Sequence, residues 1–311
     1  MPNTLAHMGI QAIASRAVIR DADLRWVFIG CVVPDVPWIL NRVLTSLMPG
    51  LDVFVVRPYW IAQASLLGSL WLCGALALIS ARPGRTFGLL AGNAAAHLLL
   101  DALQTKWGNG VDLLAPFSWH TWNVGWFWPE SEVTWFLTAL GAAVALFAAF
   151  DVWRKATWRH RPTLARWLGV IALLAVYGVY PLLMSDGVMA SDAHSLQTLR
   201  HPELRAGRQA GFDRVWLEVE GSSGRLHVLG GEVIRAIGNL ETASGSISAR
   251  GRFVDAKTII LEDVHPHGLF PRALASYLGL AAIAGILALG WTTSRPGPAP
   301  AGSEDEVPRG P

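Results

Sequence analysis

The chain has 311 residues, 52% of them hydrophobic and only 15% charged, with a formal net charge of +2. An average soluble domain carries about 25% charged residues, so this composition points to burial in lipid. The small net charge, with Lys and Arg scattered instead of forming a stripe, excludes nucleic acid as a partner class.

The N-terminus, MPNTLAHMGIQ, lacks the basic start, apolar centre and small-residue cleavage site of a secretory signal peptide, so the first span is expected to stay in the mature protein. Residues 4–20 read as a helix, but Arg16 and Arg20 make it too polar for an unaided span. It is expected to be amphipathic or half-buried, lying against the membrane or the bundle. A first span at 26–47 is interrupted by Pro34-Asp35-Val36-Pro37, an acid between prolines that is costly unless it faces protein or water. Five more regular spans follow at 59–80, 87–104, 133–150, 165–184 and 273–291. Each is near the ~20 residues that cross ~30 Å of hydrocarbon. Cys31 and Cys73 fall inside apolar runs, where a thiol acts as a small buried hydrophobe.

Arg82 and Arg85 in one loop, and Arg154, Lys155, Arg159, Arg161 and Arg166 in another, mark the cytoplasmic side, whereas the 105–132 loop has only Lys106. Both termini are then cytoplasmic, and the 105–132 loop and a large insert at 185–271 face outward across a bacterial inner membrane. Within the insert, VWLEVEG, RLHVLGG, SISARGRFV and TIILEDVHPH alternate as strands between turn signals such as Gly221-Ser222-Ser223-Gly224. The expected fold is therefore mainly α. It comprises a polytopic membrane helical domain (1–184), a soluble β-rich insert (185–271) forming a small OB-like barrel of four to five strands, a final transmembrane helix (272–292) and a disordered tail (293–311) rich in Pro, Gly and acid.

The chemistry-bearing stretch is Asn93-Ala94-Ala95-Ala96-His97-Leu98-Leu99-Leu100-Asp101. A spacing of four puts His97 and Asp101 on one helix face, where imidazole and carboxylate can ligate a divalent metal or simply tie the bundle together by a hydrogen bond. His7 and Asp35 complete a possible four-ligand set with them. The tryptophan-dense segment from Trp119 to Glu130 reads as an interfacial belt, or as the wall of a site mouth with His120 and Glu130. His194, His201, His227, His265 and His267 match no zinc spacing and read as solvated or strand-end residues, although His265-Pro266-His267 is compact enough to chelate. Arg200, Arg205, Arg208 and Arg214 read as a solvated face of the insert.

Ala6-His7-Met8-Gly9, Val33-Pro34-Asp35-Val36-Pro37 and His97-Leu98-Leu99-Leu100-Asp101, followed by Trp107-Gly108-Asn109-Gly110 and Leu113-Leu114-Ala115-Pro116-Phe117, resemble the YdjM-type membrane-bound metal-dependent hydrolases over residues 1–120. Two departures accompany the likeness. The family's His-Arg-Gly-x-Thr-His-Ser signature is missing from the stretch around Arg57-Pro58-Tyr59-Trp60, and Pro37 replaces its second aspartate. The resemblance implies hydrolysis assisted by zinc or manganese, with His7, Asp35, His97 and Asp101 as ligands and Asp35 or Asp101 as a catalytic base. Beside a bilayer, a lipid-linked ester or phosphoester is the implied substrate. The competing class is a non-catalytic scaffold of the same fold whose β insert binds a protein partner that the sequence does not identify. A transporter ranks third, since no inverted repeat or pair of broken helices is evident.

Overall fold

The computed structural model describes residues 3–155, 161–240, 244–268 and 272–292; the tail expected at 293–311 lies outside them. Ten helices among these residues surround or carry the site. They are α1 (Thr4–Val18), α2 (Leu24–Val32), α3 (Val36–Leu47), α4 (Val53–Gln63), α5 (Leu66–Leu78), α6 (Pro83–Ala102), α7 (Glu132–Lys155), α8 (Leu164–Ala190), the short α9 (Leu196–Arg200) and α10 (Arg272–Thr292).

Four helical stretches are long and apolar enough to cross a membrane: Leu24–Leu47, Glu132–Arg154, Leu164–Ala190 and Arg272–Gly290. A fifth arises if α4 and α5, bent by 66°, are taken together. The α7, α8 and α10 surfaces carry exposed Phe136, Leu146, Leu168, Leu183 and Leu278, an apolar area that water would penalise and acyl chains would cover. The sixth expected span corresponds to α6. At 20 residues it is long enough, but Arg85, Asn93, His97 and Asp101 leave it more polar than a lipid-facing helix.

α1 is not a surface amphipath along its first half, because Leu5, Ala6, His7, Met8 and Gly9 are all buried. The Asn3 side chain caps it by accepting from Ala6 N–H (3.1 Å) and donates to Thr138 Oγ1 on α7 (2.6 Å). Glycines permit this burial. A Cβ on Gly141 of α7 would lie 1.8 Å from the Leu5 carbonyl oxygen, and one on Gly279 of α10 would lie 2.7 Å from Thr4 Cβ. Small residues let helix backbones touch in a membrane, where van der Waals contact replaces the hydrophobic drive.

Between α2 and α3 the chain tightens into a 3-10 turn, Val33–Asp35, because Pro34 and Pro37 cannot supply the backbone donors of a continuous α-helix. Asp35 ends that turn without capping α3 through its side chain, so its carboxylate is left to face the bundle. Ser65 restarts the helix after the α4–α5 bend by accepting from Gly68 N–H (3.3 Å).

The β-rich insert closes into a five-stranded barrel of β1 (Gln209–Glu220), β2 (Ser223–His227), β3 (Val233–Gly238), β4 (Gly245–Phe253) and β5 (Thr258–Pro266), in the order β1-β2-β3-β5-β4. All neighbours are antiparallel except β3 and β5. Alternation drives Leu217, Leu226, Ile234, Ile247, Ile259 and their neighbours into one core. Four of the strands follow the expected segments; β3 is the addition. Arg205 is buried instead of solvated. Its guanidinium pairs with Glu232 and donates to the Thr198, Leu199 and Ala256 carbonyls, which pins the segment before β1 to the barrel. The barrel sits on the loop between α6 and α7. There Gly108 (φ +68°) meets Gly211 of β1 so closely that a side chain on Gly108 would clash with the Gly211 carbonyl. Asn109 donates to Asp213 (3.0 Å) beside that contact.

Candidate functional site

The helical spacing that pairs His97 with Asp101 holds in α6, where both are buried. His97 Nδ1 lies 2.5 Å from the Cys31 carbonyl oxygen at the end of α2. A carbonyl only accepts, so the ring proton belongs on Nδ1, and Nε2 presents its lone pair to the bundle interior. Nε2 faces Asp35 Oδ1 at 3.5 Å and Asp101 Oδ2 at 3.9 Å. From α1, His7 stacks on His97 with ring centroids 3.9 Å apart and an interplanar angle of 8°. Its Nε2 lies 3.3 Å from Asp101 Oδ1.

Gln11, one turn along α1, sets the second ring. Its amide is satisfied at both ends when the oxygen accepts from His7 Nδ1 (3.2 Å) and His97 N–H (3.3 Å) while the nitrogen donates to the Asn93 carbonyl (3.0 Å) and Oδ1 (3.1 Å). In that orientation the proton of His7 also sits on Nδ1, and both imidazoles offer Nε2 toward the same point. Neighbours that fix a tautomer and a ring angle are what a ligating histidine requires.

The sequence-predicted set is thus brought together by α1, the 3-10 turn and α6. Ligand atoms of His7, His97 and Asp101 lie within 4.8 Å of one another, and Asp35 joins through His97. The fit to a cation has a further mark: among the described residues Asp35 Oδ1, which faces the His97 Nε2 lone pair, is buried without a hydrogen-bond donor. A small cavity of about 30 Å3 opens between Asp35, His97, Asp101 and Asp112, room for a water molecule or an ion. Two imidazole nitrogens with carboxylate oxygens form a donor set suited to zinc or manganese.

Three residues of the site were not singled out by sequence motifs. Lys106, buried in the loop after α6, brings Nζ to 3.3 Å from Asp101 Oδ2. Asp112 accepts from Thr121 (2.7 Å) and lies 3.5 Å from His194 Nε2. His194 is buried beside Trp38 instead of solvated, in a turn where Asp192, His194 and Ser195 all adopt positive φ (+53°, +55° and +58°). Three left-handed non-glycine residues within four positions are a backbone cost that surrounding structure must offset. Lys106 was the one basic residue of its loop and His194 one of the insert's histidines, and those were the available signals; Asp112 carried none, since its meeting with His194 depends on the barrel docking.

These residues connect the buried cluster to a larger cavity of about 770 Å3 between the α6–α7 loop and the barrel, lined by Lys106, Trp119, His120, His194, Arg250 and Glu262 among others. Trp119 and His120 therefore do wall a cavity, whereas Glu130 turns away to the barrel seam. His265 and His267 also lie at that seam, against Trp128 and Glu130. Asp213 there has its carboxyl held below the ordinary value: burial opposes ionisation, but the hydrogen bond from Asn109 and nearby positive charge outweigh it.

No family model, curated protein or solved structure matches this chain.

Proposed function

We propose that the chain is a membrane-embedded, metal-dependent hydrolase acting on a lipid-linked ester or phosphoester, with a zinc or manganese ion held by His7, Asp35, His97 and Asp101. The observation that carries this reading is the convergence of four ligand-type side chains from three separate elements, in an apolar bundle where each alone would be costly. A divalent ion bound there would supply polarisation of the scissile bond and an acidified water.

The chain's own groups divide the remaining work. Asp101 is engaged by the Lys106 amine, whereas Asp35, among the described residues, keeps one oxygen without a hydrogen bond, so Asp35 is the better placed to accept a proton from the attacking water. Lys106 stands between Asp101 and the larger cavity, where its amine can hold an anionic group as negative charge develops. The cavity walls, Trp119 and His120 with Arg250, suit a polar headgroup at a membrane surface. In this reading α2–α3, α4–α5, α6, α7, α8 and α10 form six spans of a bacterial inner membrane with both termini cytoplasmic. The barrel, whose strand order is OB-like, shares the outer side with the α6–α7 loop on which it packs.

A second reading, a non-catalytic scaffold with the barrel as binding module, is favoured by two observations. The α4 stretch that carries histidines in the resembled family has Arg57 over the Trp38 ring instead (5.6 Å), and the Lys106 amine partly balances Asp101 without an ion. Metal analysis of the detergent-purified protein beside folded His97→Ala and Asp101→Ala variants separates the two. Loss of one divalent ion per chain in both variants supports the hydrolase, and hydrolysis of lipid-linked phosphoesters by the wild type alone completes the case. A wild type whose metal content is untouched by either replacement, even after loading with zinc or manganese, rejects it.

A further inference from the structure

A second set of ligand-type side chains lies outside the helix bundle, where the barrel meets the loop leading into α7. Along an extended strand, residues two apart share a face, so His265 and His267 at the end of β5 point together, their ring centroids 5.1 Å apart. The third member comes from the other half of the molecule. Glu130, two residues before α7, places Oε1 2.6 Å from His267 Nδ1. The three ligand atoms lie within 4.8 Å of one another.

The hydrogen bonding around His267 calls for a positive charge at Nδ1. Ser248 Oγ donates to Asp213 Oδ1 (3.1 Å), an acceptor only, so the 2.7 Å contact between Ser248 Oγ and His267 Nε2 is made by a proton on Nε2. With Nε2–H given to Ser248, the 2.6 Å contact between Nδ1 and the Glu130 carboxylate calls for a positive charge between them, supplied either by a second ring proton or by a bound cation. The chain His267–Ser248–Asp213 is the outer-shell arrangement that orients a metal-bound imidazole. Glu130 Oε1 also accepts from Arg214, but among the described residues Oε2 is buried without a hydrogen-bond partner. Among the described residues the ring nitrogens of His265 make no hydrogen bond, and the ring is held in place by stacking on Trp128, 3.7 Å between centroids. Arg214 reaches the cluster from a positive-φ position (+55°) at the β1 bulge, a conformation few arginines adopt without a constraint.

We infer that Glu130, His265 and His267 form a second divalent-metal site, of the zinc class, that staples the barrel to the membrane domain. Zinc bonds of about 2.0–2.1 Å place tetrahedral ligand atoms roughly 3.3 Å apart, so side-chain rotation of about an ångström closes the cluster. Two imidazoles and one carboxylate leave a fourth position for water. The role is structural: one ligand group comes from the α6–α7 loop, two from β5, and an ion bridging them opposes separation of the two parts.

The test uses the full-length protein in detergent, stripped with chelator and titrated with zinc. Wild type should bind two ions and His97→Ala one; the remaining ion should weaken at least tenfold in Glu130→Gln and disappear with His265→Gln and His267→Gln together. Cobalt at the same site should give visible absorption that those replacements abolish, and zinc should slow hydrogen exchange at 126–131 and 258–267. Zinc content unchanged by the replacements in protein that keeps its circular dichroism, or no ion bound in His97→Ala at saturation, overturns the inference and leaves an ionic latch with protonated His267. If the histidine variant loses its barrel fold, Glu130→Gln, outside the barrel, decides alone. Failure of the bundle site would appear separately, as an ion count indifferent to His97.

Discussion

Replacing Gly141 with alanine tests whether the packing of α1, and not only its histidine, builds the bundle site. The added Cβ would sit 1.8 Å from the Leu5 carbonyl oxygen, and real Cβ contacts stay above 3.0 Å, so the backbone must retreat by about 1.2 Å. His7 is two residues further along the same helix and moves with it, which disturbs its 3.3 Å approach to Asp101. Metal–ligand distances tolerate about 0.2 Å, so the ion effectively loses one ligand's geometry. Affinity for the His97-dependent ion should fall about 10–100-fold, the loss typical of removing an orienting neighbour. Overpacking should also lower stability by about 1–3 kcal/mol. Competition with a chelator of known affinity measures the first, and thermal unfolding in detergent the second. Gly92→Ala, on the His97 helix with open space around it, serves as control and should match wild type in both. A folded Gly141→Ala protein that binds this ion with wild-type affinity would refute the claim that α1 docking positions His7.

Asp35→Asn removes the unpartnered carboxylate while keeping its shape. Turnover should drop by at least 10²-fold, the range of a lost general base, with the ion retained if Asp35 acts chiefly as base and lost if it acts chiefly as ligand; a mass-spectrometric metal count beside the rate resolves this. Gly108→Ala combines a disfavoured φ with a clash against Gly211, so the barrel should undock, read as faster hydrogen exchange over 209–213 with the membrane helices unchanged. Arg205→Ala strips three carbonyls and Glu232 of a buried donor. Glu232 keeps 34% of its side-chain surface in water, so the cost should sit near the low end for a broken buried pair, about 3 kcal/mol of barrel stability by denaturant titration. Asp213 gives a pH signature. Its folded value is depressed, so its docking contribution is complete above the ordinary carboxyl value of 3.8 and is lost as pH falls below it. Asp213→Asn should flatten the acid limb of barrel exchange.

Four of the six expected apolar spans, the Pro34–Pro37 break and four of five strands were legible in the sequence because each is local: hydropathy, missing donors and period-two alternation need no knowledge of the rest. The pairing of His97 with Asp101 was legible for the same reason. What was not legible depends on distant approach. α1 reads as half-buried because Arg16 and Arg20 lie at its end, yet its first half is fully packed through glycine contacts that only the α7 and α10 backbones reveal. His194 and Asp112 are 82 positions apart and meet only because the barrel returns to the α6–α7 loop. His265 and His267 were visible as a chelating pair, but Glu130 joins them from 137 positions before His267. β3 was overlooked because Arg235 interrupts a short run whose neighbours Ile234 and Ala236 are what the core uses.

The clasp on α1 also orders assembly in time. The helix bearing His7 precedes every other described helix in the chain, yet one of its glycine-mediated contacts is to α10, the most C-terminal of them. Asp35, His97 and Asp101 can be in place once α6 has formed, whereas His7 is held from both sides only after α10 has docked. A chain stopped before α10 would therefore carry three of the four ligands in position and the fourth on a loosely held helix. Completion of the bundle site is in this way tied to the docking of α10.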